Sequence, residues 1–203
     1  MKTEPALLVI DNQSNYLKRF KRDFLDQQPF KTIFFDHDEP LRLEKENVIK
    51  GVLLSGGKGN PYEPLNLTSN FVALMNFNVL TIGFCLGYEI IAVSYFAPIR
   101  KLPTYQNRKE IVTLTAPDDP LFEGLNKNEI RLQEKHRYHV PSVTPPLEMI
   151  GHSAVCPVEI IRHQDKPIYG FQSHPEVSGQ DGHRIMCNFL RMCDLPVDET
   201  VCF

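Results

Sequence analysis

The chain has 203 residues, 42% of them hydrophobic and 23% charged, with a formal net charge of -3 at pH 7. That balance excludes a disordered chain and suits one globular domain over residues 1–203. The slight acidic excess argues against a nucleic-acid binder, which needs clustered Lys and Arg to neutralise phosphate.

No run approaches the roughly 20 apolar residues that cross a bilayer, and the opening MKTEPALLVI lacks a signal-peptide pattern. The expectation is a cytoplasmic protein with no membrane contact. The five cysteines, Cys85, Cys156, Cys187, Cys193 and Cys202, are odd in number and form no C-x-x-C pair, so no disulfide framework is expected.

In chain order, Ala6–Asp11 (ALLVID) is a short apolar run that predicts a buried strand, and Tyr16–Leu25 carries helix-period apolar positions. Lys18, Arg19, Lys21 and Arg22 fit the solvated face of that helix. Thr32–Asp36 and Gly51–Gly57 predict further strands, and Leu65–Asn76 a helix. Asn78–Phe84 is a fourth strand, followed by a helix from Leu86 to Phe96. The pattern is α/β: a mostly parallel sheet with helices on both faces. From Arg100 to Gln172, shorter runs (EIVTLT, EIRLQ, LEMIGHS, VEIIRH, PIYGFQ) separated by prolines predict an additional antiparallel portion. Gly182–Cys193 is a closing helix.

Gly83-Phe84-Cys85-Leu86-Gly87 has the form G-x-C-x-G between a predicted strand and a predicted helix. This is the spacing of a nucleophile elbow, with glycines removing side chains that would collide in a sharp turn and a helix N-terminus favouring the thiolate. A buried structural cysteine between two glycines is the alternative. A base in reach decides between them, and Ser173-His174-Pro175-Glu176 follows a strand-like run at the same sheet edge. In an extended segment His174 and Glu176 share a face. His174 is then the base for Cys85, and Glu176 orients it. Ser55-Gly56-Gly57 ends another strand, where the Gly57 and Leu86 N–H groups can form an oxyanion hole. His136, His139, His152 and His163 lack zinc-site spacing and are expected on the surface or anchoring loops, with no metal.

The motifs ALLVIDNQSNY, GVLLSGG, GFCLGYEIIA and KPIYGFQSHPEV together resemble the class I, triad-type glutamine amidotransferases, a flavodoxin-like fold, over nearly the whole chain. The stretch HSAVCPVEIIRHQDKPIYGFQSHPEV is most similar to the free-standing glutaminase subunit of GMP synthetase. The resemblance implies a γ-glutamyl thioester on Cys85, ammonia release, no cofactor, and a separate ATP-dependent synthetase as partner. It also implies a substrate site around Gly56, Tyr88 and Glu89. Three positions depart from the family pattern: Lys58 stands for the usual Pro, Ser173 for an aromatic, and Tyr88-Glu89 for His-Gln. The Glu89 departure resembles γ-glutamyl hydrolases, so a stand-alone hydrolase of γ-glutamyl amides is the alternative, and a non-catalytic regulatory module a third.

Overall fold

The computed structural model describes residues 4–43, 47–125 and 128–202; Met1–Thr3 of the N-terminal segment read above lie outside them. In chain order the elements are β1 (Glu4–Asp11), α1 (Leu17–Asp23), β2 (Lys31–Asp36), β3 (Asn47–Leu54), α2 (Thr68–Asn76), β4 (Leu80–Phe84), α3 (Leu86–Ser94), β5 (Arg100–Leu114), β6 (Glu129–His139), β7 (Leu147–Ser153), β8 (Ile160–His163), β9 (Ile168–Phe171) and α4 (Gln180–Met192). Among the described residues nine strands form one sheet, ordered β2-β1-β3-β4-β9-β8-β7-β5-β6. The first five are mutually parallel and the last four antiparallel.

Period-two alternation along β1 assigns the two faces. Leu7 and Val9 pack with Phe20 and Phe24 beside α1 and with Ile185 and Phe189 of α4. Leu8 and Ile10 pack on the other side with Ala73 and Leu74 of α2 and Ile91 and Ala92 of α3. Each side chain of this size contributes roughly 1.5–3 kcal/mol when buried, which makes the sheet a rigid platform for what leaves its edge.

Several element limits differ from the sequence reading. β3 stops at Leu54, so Ser55-Gly56-Gly57 forms a loop, with the Ser55 hydroxyl accepting from the Asn12 N–H at 2.8 Å. PIYGFQ is not part of the antiparallel portion alone: β9 pairs parallel with β4 on one side and antiparallel with β8 on the other. It is the junction of the two halves of the sheet. Cys187 and Cys202 are bonded to each other, a pairing that an odd cysteine count does not anticipate. Cys85, Cys156 and Cys193 are free and buried. Among the described residues no helix is long and apolar enough to cross a membrane.

Candidate active site

Register places the nucleophile candidate. Phe84 of β4 pairs with Phe171 of β9, so the chain leaves both strands at the same sheet edge, and the Cys85 N–H donates to the Phe171 carbonyl at 2.8 Å. Cys85 then turns with φ 48°, a left-handed conformation that β-carbon-bearing residues rarely hold, before α3 begins at Leu86. Two close approaches fix the turn: a Cβ on Gly83 would lie 2.6 Å from the Gly87 carbonyl, and one on Gly87 would lie 2.2 Å from the Leu54 carbonyl. The glycines serve backbone contact rather than unusual dihedrals.

His174 lies three residues beyond the end of β9, and its ring Nδ1 is 2.8 Å from Glu176 Oε1. In place of the extended segment expected for these two residues, Pro175–Val177 forms a 3-10 turn, and the carboxylate reaches Nδ1 from there. The rings of Tyr16 and His174 meet edge to face with centroids 4.8 Å apart, and the Gly56 backbone also packs close to the imidazole. A Cβ on Gly56 would come within 2.7 Å of His174 Cε1, so glycine is required there. A proton on Nδ1 directed at this carboxylate would leave Nε2 as the nitrogen that can accept one.

Cys85, Glu89 and His174 line one cavity of about 270 Å³. Burial, followed by the carboxylates of Glu89, Glu176 and Glu134, pushes the Cys85 thiol well up, and the Leu86 N–H pulls the other way. Desolvation thus opposes what the helix N-terminus contributes to the thiolate. Glu89 sits on the first turn of α3 at 2% exposure; Oε1 accepts from Gln172 Nε2 at 3.3 Å and Oε2 has no partner. Burial raises its carboxyl to about 8, opposed by the Gln172 bond.

The remaining predicted residues separate. Gly57 lines the cavity and bridges to Gln13. Gly56 packs beneath His174 instead of lining the cavity. Tyr88 does not reach the cavity: its hydroxyl donates to the Val158 carbonyl at 2.7 Å, and its ring is fully buried against the sheet beneath Gly170. It shares the helix turn with Glu89 but faces the core.

The wall made by β6 is not apparent from sequence alone. The sheet curls so that its last strand returns to the site, with the His174 N–H donating to the Gln133 carbonyl at 2.8 Å and Cys85 Sγ 3.8 Å from the Lys135 carbonyl. Lys135, His136 and Arg137 line the cavity, as do Tyr16, Lys58 and Tyr105. His163 anchors a loop as expected, its Nδ1 accepting from the Asp165 and Lys166 N–H groups. His136 does not lie at the surface: it is 3% exposed, with Nε2 2.8 Å from Glu134 Oε2. Ile130, Leu132, Glu134 and His136 alternate as inward positions, and that period-two signal runs through EIRLQEKH.

The fold and this strand-edge constellation define a class I glutamine amidotransferase: the family model for "Glutamine amidotransferase class-I" matches residues 8–193, and the chain belongs to that family. Among its relatives is the glutamine-hydrolyzing GMP synthase subunit of Methanococcus aeolicus, 30% identical over 192 residues, covering 93% of this chain and 98% of that protein. The corresponding protein of Thermococcus kodakarensis is 31% identical over 193 residues, covering 92% and 98%. Among solved structures, a putative GMP synthase subunit from Thermoplasma acidophilum superposes with a TM-score of 0.77 at 26% identity, covering 96% of each chain. A glutamine amidotransferase from Thermotoga maritima shares the fold, with a TM-score of 0.70 at 16% identity over 93% of this chain and 83% of that one.

Proposed function

We propose that this chain is a glutaminase that releases ammonia from the side-chain amide of glutamine for a separate, ATP-dependent synthetase of the GMP synthase type. The observation that carries the reading is the shared cavity of Cys85 and His174, with Glu176 bonded to His174 Nδ1. Cys85 Sγ attacks the δ-carbon while its proton passes to His174 Nε2, and the oxyanion is held by the Leu86 and Gly57 N–H groups. The C–N bond breaks as His174 returns the proton to the leaving nitrogen, giving ammonia and a γ-glutamyl thioester. Water then attacks the thioester, losing a proton to His174, and glutamate leaves as the thiol is restored.

Replacing the family's glutamine by Glu89 favours a second reading, a stand-alone hydrolase of γ-glutamyl amides with the same chemistry and a larger leaving group. Ammonia release from glutamine, measured with and without the cognate synthetase and its nucleotide substrate, separates the two. The amidotransferase is slow alone and accelerates with the partner; fast, partner-independent cleavage of γ-glutamyl peptides points to the hydrolase. Cys85→Ala lowers turnover by about 10⁴ or more in either case. An electrophilic glutamine analogue that modified Cys156 or Cys193 in place of Cys85 would show the nucleophile to be misassigned.

A further inference from the structure

His174 follows β9 in the chain, yet its backbone is held by β6. Its N–H donates to the Gln133 carbonyl at 2.8 Å, and its carbonyl accepts from the Ser178 hydroxyl at 2.6 Å and from the Val177 N–H at 3.2 Å. The same hydroxyl oxygen accepts from the Gln133 N–H at 2.9 Å. A serine hydroxyl has one proton to give and lone pairs to receive with, and Ser178 uses both at once. The result is a closed ring of hydrogen bonds. Both polar backbone groups of Gln133 are joined to both of His174, one pair directly and the other through Ser178 Oγ. Ser178 is 5% exposed and is backed by Gly182 of α4, where a Cβ would lie 2.9 Å from Ser178 Cβ.

The same strand meets the other reacting group. Two residues beyond Gln133, the Lys135 carbonyl lies 3.8 Å from Cys85 Sγ. One short stretch of β6 therefore touches both the sulfur and the turn that carries the imidazole. Glu176 orients the ring through Nδ1, whereas the ring of backbone bonds decides where His174 stands relative to Cys85. Proton transfer from Sγ to Nε2 is sensitive to that placement, since a misplacement of about 1 Å can cost on the order of hundredfold in rate. We propose that Ser178 is a positioning residue of the reaction, its hydroxyl clasping the His174 turn to β6 so that the imidazole stands within reach of Cys85. The proposal rests on Cys85 and His174 acting as nucleophile and base. Ser178 acts through His174 and does not line the cavity.

A neighbouring bond supplies the control. Asp181 Oδ2, in the first turn of α4, accepts from the Arg131 N–H at 2.8 Å, so it fastens the same strand two residues before Gln133 without touching His174. Ser178→Ala removes the hydroxyl and should lower kcat for glutamine hydrolysis roughly tenfold to hundredfold, with KM within about twofold of wild type. Asp181→Ala should lower the melting temperature by a few degrees, as Ser178→Ala does, and keep the wild-type kcat. Alkylation of Cys85 by iodoacetamide at a series of pH values reads its coupling to His174 with no substrate present. That profile should shift in Ser178→Ala and coincide with wild type in Asp181→Ala. The proposal fails if Ser178→Ala keeps the wild-type kcat, or if both variants lose kcat alike, which is the signature of a merely structural role. Full activity surviving in Cys85→Ala would instead overturn the nucleophile reading, so the two failures are distinguishable.

Discussion

Glu89 differs from a surface glutamate in one respect that its chemistry registers. Burial holds its carboxyl at about 8, with Gln172 pulling down and Glu63 adding slightly to the rise. At pH 7 the free protein therefore carries Glu89 mostly protonated, and binding an ammonium requires the ionised form. Below about 8 the fraction ionised rises roughly tenfold per pH unit. The KM for glutamine should fall as pH rises from about 6 toward 8, and steady-state kinetics at constant ionic strength read this directly. In Glu89→Gln nothing at this position titrates and the slope should vanish. A KM independent of pH in the wild type would detach the Glu89 carboxyl from substrate binding. The neighbouring Tyr88 shows how narrow the distinction is. One residue earlier on the same helix, it gives its hydroxyl to Val158 and contributes packing alone.

At the scale of elements, the elbow and the SHPE turn were legible because each is written in consecutive residues. A strand run, a glycine spacing and a helix start suffice for Cys85, and His174 and Glu176 are two residues apart. The β6 wall was not legible in the same way. Lys135 lies 50 residues from Cys85 in sequence, and the pattern of β6 gives no hint of which strand ends the sheet curls together. Pairing order is a long-range property, and local periodicity carries no information about it. The same holds for the bond between Cys187 and Cys202, which joins α4 to the chain end. Where sequence and structure agree most closely, the reason is steric. Gly87 abuts the Leu54 carbonyl so tightly that Gly87→Ala forces β3 and α3 apart. Overpacking of this kind costs about 1–3 kcal/mol and more where backbone is struck. Thermal unfolding should show Gly87→Ala several degrees below wild type, with activity lost because Cys85 is displaced. A fully stable Gly87→Ala variant would mean that the elbow has room the geometry denies it.

The whole molecule carries a cost for placing acids around this site. Besides Glu89, burial raises Glu134 and Glu159 to about 8 each, with Glu110 adding to the first and Glu134 to the second. Glu134 and Glu159 are fully buried, and each has at least one oxygen without a hydrogen-bond partner. The unfolded chain releases these protons near the ordinary value of 4.5, while the folded chain keeps them until about 8. Across that window the unfolded state binds fewer protons, so stability falls as pH rises, and it levels off above about 8. The stabilisation is fully present below about 4.5 and is lost as the folded carboxyls finally ionise. Each group accounts for on the order of a few kcal/mol, which is a large part of the 5–15 kcal/mol typical of a domain. The melting temperature should therefore decline from pH 5 to pH 8, when many proteins are near their most stable. Glu159→Gln keeps an acceptor for the Ser153 hydroxyl, which Glu159 Oε1 now receives at 2.8 Å. This variant should flatten the decline without touching Cys85 or His174. Calorimetry of wild type and Glu159→Gln at several pH values decides the matter, and a wild-type melting temperature that is constant or rises over this interval would show that the carboxyls are ionised in the fold.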